Sequence, residues 1–466
     1  MWTRFKEKFI GDREFYRYIL YLAVPMIIQN AITSFVSFLD NIMVGQIGTE
    51  QMSGVAIVNQ LIFVFSICIF GGVSGAGIFG TQYYGKGDYE GQKYAFRFKM
   101  YTSLLIVGIV LYLFGCHGTE LISLYLSDSG SVGDITLALK YGKEYLAVMM
   151  VGLLPFAIGQ TYISSIKETG QTFVPMLAGI VAVVTNLVLD YILIFGVFGA
   201  PALGVRGAAI ATVIARFVEC FIVVAWTHKN NDTNPYIIGA YRSLRIPKGI
   251  LKDIIIKGTP LLVNEILWAS GMAAIVQCYA VRGLEVVAAQ NISSTITNLF
   301  NIVYLQLGSC IAIVVGQLLG AGKTEEAKDA DNKMIFFSVA CCVAIAFLMM
   351  LVGRFFPNIY NTEESIRQLA KNFITISAAV MPLCAFCHAA YFTLRSGGKT
   401  VITFLFDSVY TWVLMIPFAF VLANYTTLPI TAVFFLVQFT EIIKVIIGFF
   451  MVRSGIWLQN IVDETA

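Results

Sequence analysis

Apolar residues fall in long blocks along almost the whole chain. The blocks lie near 18–43, 54–80, 97–117, 142–165, 172–197, 206–227, 254–281, 286–315, 334–354, 372–394, 401–423 and 428–452. Within them the pattern is neither a one-sided helical stripe nor a strand alternation; the blocks are apolar all round. A helix needs ~20 such residues to cross the hydrocarbon core of a bilayer. A membrane β-barrel would instead show ~10-residue alternating segments. The pattern therefore predicts an all-α integral membrane fold of twelve transmembrane helices. The first 17 residues are different. Trp2, Arg4, Lys6, Lys8, Arg13 and Arg17 predict a short interfacial helix ahead of a retained first span.

Composition agrees with a lipid solvent. Hydrophobic residues make up 58% of the 466 and charged residues 13%, against roughly a quarter charged in soluble domains. A net charge of +3 gives no reason to expect a nucleic-acid partner. The nine cysteines lie in or beside apolar stretches at irregular spacing and read as packing residues, Cys384 and Cys387 included. Three histidines give no metal site. A membrane enzyme would need a convergent nucleophile or metal set, and none is present in the pattern.

The placement of charge orients the spans. With a cytoplasmic N-terminus, the outside segments carry only Lys140, Lys143, Arg206, Arg282, Arg354, Arg367 and Lys371 among the 31 basic residues. Nearly all the rest lie inside, as the positive-inside rule requires. A multi-pass protein of the cell inner membrane is expected, with both termini cytoplasmic.

The two halves of the chain repeat. At one shift of 235 residues, Pro25 pairs with Pro260, Gly48 with Gly283, Glu50 with Glu285 and Gln82 with Gln317. The same shift pairs Gly85 with Gly320, Gly87 with Gly322 and Glu90 with Glu325. Later, Pro155 answers Pro382 and Gly170 answers Gly397. The shift covers six spans, an even number, so the halves share one orientation and should be related by a pseudo-twofold axis along the membrane normal. The expected organisation is an interfacial helix at 1–17, an N-lobe at 18–227, a cytoplasmic linker at 228–253, a C-lobe at 254–453 and a cytoplasmic tail at 454–466. Two six-helix lobes facing a central cleft is an architecture suited to alternating access.

Ionisable groups at bilayer depth are costly and are functional candidates for that reason. Asp40 and Asp190 both lie late in outward-running spans and should reach a similar depth, with Asn186 one turn before Asp190 on the same face. Two carboxylates brought together there cannot both stay charged cheaply, as a proton-coupled site needs. Thr212, one turn before Arg216, reads as an added oxygen ligand or as a packing or back-bonding residue. Glu265, His388 and Asp407 lie seven or eight residues from cytoplasmic charges and predict a second polar cluster, nearer the cytoplasm. Arg216 with Glu219, and Glu441 with Lys444, stand three apart and read as local ion pairs. Pro25 and Pro260 lie mid-helix and read as hinges or as static bends.

These residues together resemble the MATE (multidrug and toxic compound extrusion) family. The matching pieces are Ala23-Val-Pro-Met26, Val44-Gly-x-x-Gly48, Gln82-x-x-Gly-x-Gly87 with its repeat at 317–322, Asn186-Leu-Val-Leu-Asp-Tyr191, Gly207-Ala-Ala-Ile-Ala-Thr212 and Pro260-Leu-Leu-Val-Asn-Glu-Ile-Leu-Trp268. Asp40, Asn186 and Asp190 match the first-lobe cation site of DinF-like members, and Glu265 matches an acidic residue of the seventh helix in other branches. NorM-like members carry an aspartate on helix 10 where this chain has Cys384, which favours the first lobe as the coupling site. The resemblance implies export of amphipathic, often cationic, drug-like compounds in exchange for H⁺ or Na⁺. It implies no other cofactor, no enzymatic activity and no ATP site, and a monomer in the bilayer is expected. The alternative is a lipid-linked oligosaccharide flippase of the same superfamily, against which the mostly acidic intramembrane set speaks.

Overall fold

The computed structural model describes residues 2–128 and 134–463. Among them there is no strand, and twelve helices are long and apolar enough to cross a membrane. Helix α1 (Trp2–Phe9) precedes α2 (Arg13–Gly45), α3 (Thr49–Lys86) and α4 (Tyr89–Asp128). The fourth span is α5 (Ile135–Met149) and α6 (Leu153–Glu168), joined by a 3₁₀ turn; α7 (Phe173–Phe195) and α8 (Val205–Lys229) complete the first six. The second six begin with α9 (Lys248–Ala280), α10 (Leu284–Gly320), α11 (Thr324–Gly353) and α12 (Glu364–Ser396). The eleventh span runs from α13 (Thr400–Phe404) to α14 (Ile416–Tyr425), and the twelfth comprises α15 (Ile430–Phe439) and α16 (Glu441–Ser454).

Each apolar block lies within one of these helical spans, give or take a few residues at its ends, and many of the helices continue well past it. A helix such as α3, with 38 residues, is ~57 Å long at ~1.5 Å per residue, nearly twice a ~30 Å hydrocarbon core. The added turns carry more polar residues, some buried against neighbouring segments, as Thr81 and Gln82 are. Large apolar side chains remain exposed along the spans, among them Phe221 at 73%, Leu105 at 64% and Phe450 at 64%. In water that surface would cause aggregation; in a bilayer it is the solvent-matched face.

The residues form two compact units. One contains Ile28–Gly80 and the described residues of Tyr89–Leu251; its core includes Val55, Val58, Ile62, Met149, Ile194 and Val205. The other contains the described residues up to Ile27, Thr81–Asp88 and those from Lys252 onward; its core includes Leu22, Met26, Ile311, Val315 and Met334. Helix α2 thus changes unit between Ile27 and Ile28, two residues beyond Pro25, and α3 changes unit between Gly80 and Thr81.

The repeated Gln-x-x-Gly-x-Gly element has a clear physical reason within the second unit. A Cβ on Gly85 would drive into the backbone carbonyl of Gln317, and one on Gly320 into that of Gln82. The ends of α3 and α10 therefore meet backbone to backbone, reciprocally, and only glycine permits that approach. The final glycine of each copy caps its helix in the left-handed region, with φ 77° at Gly87 and 74° at Gly322. The segment after α16 is packed into the same region. Gln82 Nε2 donates to the carbonyls of Ser396 (2.9 Å) and Gln459 (3.2 Å), and the Ile461 amide donates to Gln82 Oε1 (2.9 Å). Trp457, Ile461 and Val462 are buried there.

Candidate functional site

In the first half, α7 carries Asn186 and Asp190 one turn apart, and both are buried. The Asp190 carboxyl lies within reach of a shared proton from Asp40 on α2, and Asn186 also bonds to it. Asn186 Nδ2 donates to Thr212 Oγ1 on α8 at 3.4 Å. Thr212 itself back-bonds to the Ala208 carbonyl at 3.0 Å, which holds its oxygen toward the cluster. The structure thus brings together all four first-half candidates: Asp40, Asn186, Asp190 and Thr212.

Two further residues join them. The Tyr145 hydroxyl donates to Asn59 Oδ1 on α3 at 3.2 Å and lies within bonding distance of Thr212. Neither Tyr145 nor Asn59 carries charge, so no insertion cost marks them in the sequence. Their positions follow from packing: Gly54 on α3 lies against the backbone of Ala138 and Gly142, so α3 and α5 approach closely. One oxygen each of Asp40 and Asp190, the Oδ1 atoms, is buried without a hydrogen-bond partner among the described residues. A buried acceptor left open is costly unless a proton or cation fills it.

Arg216 on α8, expected to pair with Glu219, forms no ion pair with it within 4 Å among the described residues. Its guanidinium donates to the Gly152 carbonyl at 3.4 Å and lies 5.0 Å from the centre of the Phe156 ring. Gly152 belongs to the 3₁₀ turn between α5 and α6, and an arginine at depth takes the partner that geometry supplies.

In the second half, Asp407 lies in a π-helical stretch, Leu405–Val409, followed by another at Thr411–Met415. Wider turns of this kind re-aim side chains and recur at functional positions. Asp407 Oδ2 accepts from Asn264 Nδ2 (3.2 Å), and Oδ1 accepts from Lys444 Nζ (3.2 Å). Asn264 also approaches the Tyr391 hydroxyl (3.4 Å) and accepts from Ser408 Oγ (2.6 Å). Glu265 is within electrostatic range of Asp407 and Arg395. His388 spends its Nδ1 on the Cys384 carbonyl of its own helix (3.1 Å) and packs on Tyr304, 4.7 Å between ring centres. The three second-half candidates are neighbours, yet the group bonded to Asp407 is Asn264 and Lys444. Lys444 lies 3.7 Å from Glu441, as spacing predicts, but closer to Asp407 on another helix, which no local spacing rule shows.

An all-helical membrane body built from two repeated halves, each with polar groups buried between its spans, is the architecture of a membrane transporter. The sequence profile of the MatE family matches residues 25–192 and 260–421, one block per half. The chain belongs to that family. It is similar over 417 residues, at 23% identity, to the probable multidrug resistance protein NorM of Thermotoga maritima, covering 87% of this chain and 85% of that protein. The probable multidrug resistance protein YoeA of Bacillus subtilis is 24% identical over 411 residues, 88% of this chain and 87% of the relative. Among solved structures, an outward-facing multidrug resistance MATE transporter of the MOP superfamily superposes with a TM-score of 0.85 at 21% identity, over 95% of this chain and 96% of the other. A MOP superfamily transporter from Pyrococcus furiosus gives 0.84 at 21%, with the same coverage. These two establish the fold.

Proposed function

We propose that this protein is a secondary active exporter of amphipathic, often cationic, organic compounds, driven by inward flow of H⁺ or Na⁺ through alternating access. The observation that carries the reading is the Asp40–Asp190 pair, with one open oxygen on each carboxyl inside a hydrogen-bonded frame of Asn186, Thr212, Tyr145 and Asn59. The multidrug resistance names of its relatives point the same way. Two acids this close hold at most one full negative charge cheaply. A proton or Na⁺ entering the pair removes that cost, and a cationic solute held by the same charge loses its counter-ion.

The cycle follows from that competition. Facing outward, the pair takes up the ion and the solute leaves. The body rocks, the ion is lost inward and the next solute binds. Pro25 is the hinge of this cycle: it lacks a backbone donor inside α2, and α2 changes compact unit two residues later. Pro260 occupies the equivalent place in α9. The membrane is the cell inner membrane, both termini are cytoplasmic, and the working unit is a monomer of the DinF-like branch.

The test is efflux of a cationic dye from liposomes containing the purified protein, with pH and sodium gradients imposed separately. One gradient should drive efflux and the other should not. Efflux indifferent to both gradients would overturn the antiporter reading.

A further inference from the structure

Lys444 is a lysine deep in a membrane helix, 6% exposed, and its ammonium has a complete set of neighbours. Asp407 Oδ1 lies at 3.2 Å and Glu441 Oε2 at 3.7 Å. The rings of Phe406 and Tyr410 lie 5.5 and 5.6 Å from Nζ, measured to their centres. The remaining oxygen of Asp407 accepts from Asn264, so the carboxylate is held in place. Two carboxylates from different helices and two aromatic faces around one positive centre make the coordination environment of a monovalent cation. Here the cation is part of the chain.

We propose that Lys444 is a resident cation: its ammonium fills a monovalent-cation pocket built by Asp407, Glu441, Phe406 and Tyr410 and thereby closes the second half to the exchanged ion. The contrast with the first half carries the argument. There, Asp40 and Asp190 face each other with open oxygens, and among the described residues no basic side chain is bonded to either. Here, Asp407 is neutralised from within. A tethered ammonium cannot be exported or exchanged, so these acids stay satisfied through every stage of a transport cycle. The acids of one half then exchange a cation while those of the other hold one permanently. The second part of this inference rests on the exporter reading; the pocket itself does not.

The test removes the tether and offers a free cation. The full chain carrying Lys444→Ala is purified in detergent, and its thermal unfolding is followed in sodium, ethylammonium or N-methylglucamine chloride at equal ionic strength. Wild type sets the baseline, since any gain it shows in sodium belongs to Asp40 and Asp190. Beyond that baseline, Lys444→Ala should gain about 4 °C or more in sodium or in ethylammonium over the bulky glucamine salt, saturating with concentration as binding requires. A gain in sodium alone identifies a hard-cation pocket, and a gain in ethylammonium alone an ammonium pocket; either supports the proposal. Lys444→Ala with Asp407→Asn should show no such gain. A response of Lys444→Ala to the three salts no larger than that of wild type would overturn the proposal. So would recovery of the double variant alone, since the pocket would then reject every free cation. Failure to recover either variant would make Lys444 a packing residue and also overturn it. In liposomes, the double variant should keep the wild-type dependence of dye efflux on the driving gradient. Loss of that dependence would place Asp407 in the exchange and overturn the closure of the second half. No transport by wild type itself would instead count against the exporter reading.

Discussion

Tyr145→Phe deletes one oxygen and leaves a ring of nearly the same shape. That hydroxyl links Asn59 to Thr212, and through Thr212 to Asn186 and the acid pair. Its loss should cost ~1 kcal/mol of stability, as for one net hydrogen bond. It should also weaken drug efflux more than that figure suggests, because Thr212 loses an orienting partner. Thermal unfolding and dye efflux on the same preparation separate the two effects. Lys99 and Glu168 provide the opposite case. They form a buried ion pair between α4 and α6, supported by Ser165 Oγ on Lys99 and Ser164 Oγ on Glu168. Gly77 and Gly80 leave room for the carboxylate, since a Cβ at either would press on it. Glu168→Gln strands the ammonium and should lower stability by ~3–5 kcal/mol, whereas Lys99→Met with Glu168→Leu should recover most of it. A small change in thermal midpoint for the single variant would show the pair to be dispensable.

At the scale of helices, the reciprocal meeting of α3 and α10 makes a sharp prediction. Gly85→Ala pushes a methyl group into a backbone carbonyl, which cannot rotate away as a side chain can. Stability should fall by ~1–3 kcal/mol, the usual range for overpacking. Gly87→Ala has no steric neighbour but a φ of 77°, so its cost should be smaller and purely conformational. Thermal midpoints that rank the two the other way would contradict this account of the repeat. The duplication was legible in the sequence because two different constraints, close approach and left-handed φ, both demand glycine and so leave a visible mark. The span count was legible because lipid imposes a length on apolar runs. The helix ends were not, since polar turns continue a helix without any change of pattern that marks the membrane edge. The π-helical stretches around Asp407 left no signal either; they depend on packing against neighbouring spans rather than on local residue choice.

For the whole molecule, charge was the feature best seen in advance. Asp40 and Asp190 stand 150 positions apart, and what singled them out was the expense of a carboxylate in lipid together with a matched depth. Asn59, Tyr145 and Asn264 are neutral and cheap to bury once bonded, so only the fold reveals them. Lys444 was visible as a charge but not as the partner of Asp407. The resulting picture is asymmetric: one half buries an acid pair with an open oxygen on each carboxyl, and the other holds its acid with an internal ammonium. The most direct measurement is the affinity of the purified protein for a cationic dye as the coupling ion is varied, in wild type, Asp40→Asn and Asp190→Asn. Wild-type affinity should fall as the ion rises, with a coupling of ~5–150-fold, and both variants should lose that dependence. Dye affinity that still falls with the ion in both variants would contradict the account.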